Sequence, residues 1–113
     1  SASQEAEKLE TFITDSILES AQVIACTLIG ANHHYIFKKK YHTVFIDEAS
    51  QALDPAIWIP ISKAQRVVLA GDHCQLPPTI KSYEAEKMGL GKTLLERLIQ
   101  KQPEASVMLK VQY

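Results

Sequence analysis

Thr43-Val44-Phe45-Ile46-Asp47-Glu48 is a short β-branched, apolar run that stops abruptly at two acids. A run of this kind reads as a strand covered on both faces, as strands of parallel sheets are. Val23-Ile24-Ala25-Cys26-Thr27-Leu28 has the same character and is ended by Gly30-Ala31-Asn32. Arg66-Val67-Val68-Leu69-Ala70 is a third such run, stopped by Gly71-Asp72, and Val107-Met108-Leu109-Lys110-Val111 reads as a fourth. Helical patterns lie between them. Leu9, Phe12, Ile13 and Ile17 fall at helical spacing between Glu5 and Ser20, and Leu94, Leu95, Leu98 and Ile99 repeat that spacing later. Asp54-Pro55 predicts a helix start, with Asp54 as N-cap and Pro55 at the first helical position, and Pro60 keeps that helix short. Leu76-Pro77-Pro78-Thr79 suits neither a helix interior nor a central strand and reads as a rigid loop. Strands alternating with helices predict a parallel sheet with right-handed crossovers, because the links are too long for tight hairpins. The fold class is α/β.

The 113 residues suffice for one small domain, and 46% hydrophobic with 22% charged residues is a globular rather than a disordered composition. No apolar stretch approaches the roughly 18 residues of a membrane span, so no membrane association is expected. The acidic start carries no legible secretory signal, and Cys26 and Cys74 read as reduced thiols. Together these predict an intracellular location, cytoplasmic or nuclear. A formal net charge of −1 gives no global attraction to nucleic acid, so any such contact is local. Glu5, Glu7, Glu10, Asp15 and Glu19 make the start acidic, whereas Lys38-Lys39-Lys40 is basic.

Ligands of an open parallel sheet sit beyond the carboxyl ends of its strands. Thr27, Asp47-Glu48 and Gly71-Asp72 all fall at such ends, so one rim is expected to gather them. A nucleoside triphosphatase needs an apolar strand running into two acids. The first holds Mg²⁺ through its water shell, and the second aligns or deprotonates the attacking water. The alternative is that Asp47 and Glu48 only end a strand and cap the next helix. Gly71-Asp72-His73-Cys74-Gln75-Leu76-Pro77-Pro78 adds a glycine for a tight turn and a glutamine whose amide can bond a γ-phosphate. The stiff Pro77-Pro78 loop beside it can pass that signal on.

From about Ala21 to Tyr113 the residues resemble superfamily 1 helicases, in the branch of the nonsense-mediated-decay RNA helicase. Val23 to Ala31 resembles the motif whose threonine contacts a nucleic-acid phosphate. Val44-Phe45-Ile46-Asp47-Glu48-Ala49-Ser50-Gln51-Ala52 resembles motif II, the Walker B element. Leu69 to Pro78 resembles motif III, and Val111-Gln112-Tyr113 resembles the opening of motif IV. The resemblance implies a parallel RecA-like sheet of the P-loop NTPase class, flanked by helices and incomplete. Residues 1–113 would be part of the first RecA-like ATPase domain of a helicase. The Walker A segment and the second RecA-like domain lie outside them, as does the arginine that follows the Gln-Tyr of motif IV in the family. ATP and Mg²⁺ are the implied cofactors. The implied partners are single-stranded DNA or RNA and the remaining helicase domains.

By position, Asp47 would bind Mg²⁺ through water and Glu48 would be the catalytic base. Gln75 would sense the γ-phosphate, with Asp72 supporting the metal and the motif III geometry. Thr27, Pro77 and Pro78 would face nucleic acid. With no phosphate cradle, the 113 residues alone are expected to lack ATPase activity, and an uncovered sheet edge is expected to favour self-association.

Gly91-Lys92-Thr93 imitates the end of a Walker A loop, but Glu86 occupies the place of its leading glycine, and no buried strand precedes it. His33, His34, His42, His73 and Cys74 contain no closely spaced ligand pair of the Cys-x-x-Cys kind, so a structural zinc site is not expected. Trp58, between Ile57 and Ile59, reads as a packing residue. Two other functions remain in play. One is a nucleic-acid-binding module without chemistry that uses Lys38–Lys40 and Thr27. The other is a metal-dependent phosphoesterase built on Gly71-Asp72-His73, which ranks below it because further metal motifs are missing.

Overall fold

The computed structural model describes all residues from Ser1 to Tyr113. Its first helix, α1 (Ala2–Ser20), starts at a capping box in which the Ser1 hydroxyl accepts from the Gln4 N–H and the Gln4 side chain bonds back to the Ser1 amino group. A short α2 (His34–Phe37) leads into β1 (Tyr41–Ile46). The 3₁₀ turn Ala49–Gln51 and α3 (Asp54–Ile61) connect it to β2 (Ala64–Leu69). Then come α4 (Tyr83–Lys87), α5 (Leu94–Lys101) and a final 3₁₀ turn, Pro103–Ala105.

β1 and β2 form a two-stranded parallel sheet, with Tyr41 opposite Ala64 and Ile46 opposite Leu69. The α/β class is borne out: α3 is the crossover that a parallel pair requires. β2 begins two residues earlier than its apolar run suggests and ends before Ala70. Two other predicted strands are not formed. Val23–Leu28 carries no ladder hydrogen bonds, and Val23 is 84% exposed. Val107–Val111 is likewise irregular and exposed. An apolar run becomes a strand only when a neighbour accepts its backbone bonds, and neither run has one here. The start of α3 also differs by one residue: Leu53 is the N-cap, Asp54 is already helical, and Pro55 follows it in the first turn. Pro60 sits inside α3, which ends one residue later at Ile61.

The core is small and lies between the sheet, the 3₁₀ turn, α3 and α5. Ile46, Ala49, Ala52, Ile57, Leu94 and Leu95 make one buried cluster, against which Leu28, Val44, Ile61, Leu69 and Ile99 pack. Trp58 is half exposed at the rim of this unit and not part of the cluster. α5 buries Leu94 and Leu95 on one face, and its N-cap Thr93 accepts the Glu96 N–H at 3.3 Å. Arg97 on α5 pairs with Asp54 on α3 and also donates to the Lys92 carbonyl at 2.7 Å, locking the two helices together.

α1 stands apart. It has no buried residue, and Leu9, Phe12, Ile13 and Ile17 are all exposed. Polar contacts tie it to the rest, with Leu18 half-buried beside them: Asp15 pairs with Lys38 at 2.6 Å, Glu19 with Lys39 at 4.0 Å, and the Tyr35 hydroxyl bonds Thr11 at 3.2 Å. The projecting helix raises the radius of gyration to 18.0 Å, against about 13 Å for a compact chain of this length. No helix is long and apolar enough to cross a membrane.

Candidate functional site

Asp47 and Glu48 leave the carboxyl end of β1, and Gly71 and Asp72 follow the carboxyl end of β2. Because the strands are parallel and in register, these pairs share one rim. The ladder continues past the strands: the Ala70 N–H donates to Ile46 O at 2.8 Å, and the Ala49 N–H donates to Ala70 O at 2.9 Å. The two chain segments are therefore still bonded where the acids emerge.

Asp47 turns its carboxylate onto the next peptide, its Oδ1 accepting the Glu48 N–H at 2.9 Å. Glu48 has a left-handed backbone, φ 53° and ψ 37°, a conformation that costs a residue with a Cβ roughly 1–2 kcal/mol. It is the only non-glycine residue in the chain with positive φ. Strain of this kind is sustained only where surrounding structure enforces it, here by the Ala49–Ala70 bond and the 3₁₀ turn that follows.

On the β2 side, Asp72 builds a tight loop. Its Oδ1 accepts the Cys74 N–H at 2.9 Å, and its carbonyl accepts the Gln75 N–H at 3.2 Å. Gly71 matters for a different reason from the tight turn that the sequence suggests. A Cβ there would lie 3.0 Å from the Ser50 nitrogen, 3.1 Å from the Ala49 nitrogen and 3.1 Å from Leu95 Cδ2. Absence of a side chain lets the two loops touch.

Gln51 fastens them. Its side-chain nitrogen donates to the Leu76 carbonyl, and its backbone N–H donates to Glu48 O at 2.9 Å. One residue thus links the peptide beside Gln75 to the peptide of Glu48. A cavity of about 200 Å³ lies next to this link, lined by Ser50, His73, Gln75, Pro77, Thr93 and Glu96. Ser50 is 5% exposed, and its hydroxyl has no hydrogen-bond partner. The sequence gives Ser50, Gln51, Thr93 and Glu96 no individual role, because what sets them apart is their position beside this cavity and link.

Asp47, Glu48 and Asp72 are exposed, and none forms an ion pair. Asp47 and Asp72 each commit one oxygen to a local backbone N–H and keep the other open. Uncompensated carboxylates on adjacent strand ends suit a hard, hydrated cation. Thr27 is not on this rim as part of the sheet, because its segment pairs with neither strand. Its hydroxyl accepts the Gly30 N–H at 3.0 Å, and its carbonyl accepts the Ala31 N–H at 3.0 Å, so it shapes the turn into Gly30–Asn32. Pro77 lines the cavity and Pro78 is half-buried in the irregular loop beyond it. Lys38 and Lys39 are engaged by α1, which leaves Lys40 as the member of the basic run without an ion pair.

A parallel pair with an acidic rim and a flanking crossover helix defines an incomplete RecA-like α/β unit. The model of a family described as AAA domain matches residues 1–83. The chain is 45% identical over 101 residues to an uncharacterized ATP-dependent helicase of Methanocaldococcus jannaschii, covering 89% of this chain and 15% of that protein. It is 42% identical over 112 residues to DNA-binding protein SMUBP-2 of Mesocricetus auratus, covering 95% and 11%. With a regulator of nonsense transcripts 1 homolog of Neurospora crassa it shares 43% identity over 98 residues, covering 86% and 9%. The chain belongs to the AAA domain family, and within it to the superfamily 1 helicases. It spans 15% or less of the length of these relatives.

Proposed function

We propose that this chain supplies the hydrolysis and coupling segment of an ATP-dependent helicase, within the first RecA-like domain of its motor. The observation that carries the reading is the Gln51 link, which joins the loop bearing Glu48 to the loop bearing Gln75. In this reading Asp47 holds hydrated Mg²⁺ with Asp72 in support, and Glu48 accepts the proton of the attacking water. Mg²⁺, when bound, neutralises charge between the terminal phosphates of ATP. Gln75 bonds the γ-phosphate. Loss of that phosphate frees the Gln75 loop, and Gln51 and the Leu76-Pro77-Pro78 segment carry the change toward a single strand of DNA or RNA. Support comes from the exposed, unpaired acids at the two strand ends and from helicase relatives that include a DNA-binding protein and a regulator of nonsense transcripts.

Glu48→Gln in the parent protein should leave ATP binding intact and slow hydrolysis by about 10²–10⁴-fold, the usual worth of a general base. Equilibrium nucleotide binding measured beside steady-state hydrolysis checks this. Turnover close to the unsubstituted level removes Glu48 from the base role. The binding-module alternative is less well supported, because α1 occupies two of the three lysines it would use.

A further inference from the structure

The loop after β2 contains a second arrangement of donors. Asp72, His73 and Cys74 are consecutive, and a carboxylate oxygen, an imidazole nitrogen and the thiol sulfur all lie within 4.8 Å of one another. His73 Nε2 is 3.6 Å from Cys74 Sγ. Tetrahedral zinc with bonds of about 2.3 Å to sulfur and 2.0–2.1 Å to nitrogen sets those two atoms about 3.5–3.6 Å apart. The imidazole and thiol thus already stand at the spacing of two ligands on one ion. The Asp72 carboxylate is the third donor of the group, and Asp72 and Cys74 are both open to solvent.

We infer that Asp72, His73 and Cys74 form an open three-ligand site for a thiophilic divalent cation of the Zn²⁺ type. On binding, the thiol proton passes to solvent, the sulfur and the imidazole nitrogen donate electron pairs, and water completes the fourth position. The turn is held before the ion arrives, because Asp72 already accepts from Cys74 N–H and Gln75 N–H. His73 also lines the cavity with Ser50, whose buried hydroxyl lacks a partner. A water in that space, which has room for one, would give the imidazole its outer hydrogen bond. This site shares Asp72 with the Asp47 rim and adds a softer imidazole and thiol to it. The binding does not rest on the reading of Gln75 above.

The test is titration of the reduced chain with Co²⁺, a spectroscopic stand-in for Zn²⁺, followed by competition with Zn²⁺. A thiolate-to-cobalt absorption band saturating at one equivalent and displaced by Zn²⁺ is expected. Cys74→Ser should abolish the band, and His73→Ala or Asp72→Asn should weaken binding by about tenfold or more. Cys26→Ser, which alters the other free thiol, should leave it unchanged. A synthetic peptide of residues 71–76 should bind about tenfold more weakly, since the fold no longer holds its turn. All three loop variants alter exposed or half-exposed side chains, and circular dichroism checks their folding. Absence of the band, its survival in Cys74→Ser, its loss in Cys26→Ser, or equal affinity in the free peptide would each overturn the site.

Discussion

The sheet unit and α1 are attached to the molecule by opposite means. Around β1, α3 and α5 the chain buries carbon: Ile57 and Ala49 are fully covered and Ile46 is 4% exposed. α1 does the reverse, turning Asp15, Glu19 and Thr11 to the body and leaving Phe12 69% and Ile17 61% exposed. Burial of a large apolar side chain is worth a few kcal/mol, whereas an exposed ion pair contributes about 0–1 kcal/mol. The acids and the glutamine loop are therefore built on the firm part, and the helix is the part that opens first.

The largest break in this contrast should come at Ile57. Ile57→Ala opens a cavity in the only sizeable cluster and should cost about 2–5 kcal/mol, read from denaturant unfolding. A loss below about 1 kcal/mol would mean that the cluster does not carry the fold. Gly71→Ala comes next, with an expected cost of about 1–3 kcal/mol from overpacking against Ala49, Ser50 and Leu95. Amide exchange should show its effect concentrated at residues 47–51 rather than spread over the sheet. The smallest effect belongs to α1. Asp15→Asn should change global stability by less than about 1 kcal/mol while speeding exchange along α1, and raised salt should do the same to the unsubstituted chain. Slowed exchange, or none beyond the fraying at Ser1, would show that α1 is held by something other than its charges.

The helical spacing of Leu9, Phe12, Ile13 and Ile17 made α1 legible as a helix, though not its lack of a covering partner. β1, β2, α3 and α5 announce themselves because each apolar run is bounded by punctuation, such as Asp47-Glu48, Gly71-Asp72 or Asp54-Pro55, and each finds a neighbour. Val23–Leu28 has an equally good composition, but composition reports an appetite for burial and not the identity of the partner. Asp54 was displaced from the cap by one residue, since its carboxylate is taken by Arg97 from a helix about forty positions away, a pairing with no local signature. Tyr41 is similar: its hydroxyl donates to Ile36 O at 2.9 Å, and burial, with Cys26 second, pushes its pKa up. Asp47, Glu48, Asp72 and Gln75, the residues of the proposed site, stand out in the sequence because charged and amide groups follow apolar strands there. Gln51 and Ser50 do not, because their importance is positional. Asp72, His73 and Cys74 carry no spaced ligand pair, and only the turn after β2 sets these three chain neighbours close together.

Gln51 has a mechanical meaning. With its amide on the Leu76 carbonyl and its N–H on the Glu48 carbonyl, it acts as a tie rod between two loops that the covalent chain separates by more than twenty residues. A single side chain thus spans the gap between the two loops. Removing that amide would leave the Leu76 carbonyl without its partner and the two loops without this tie.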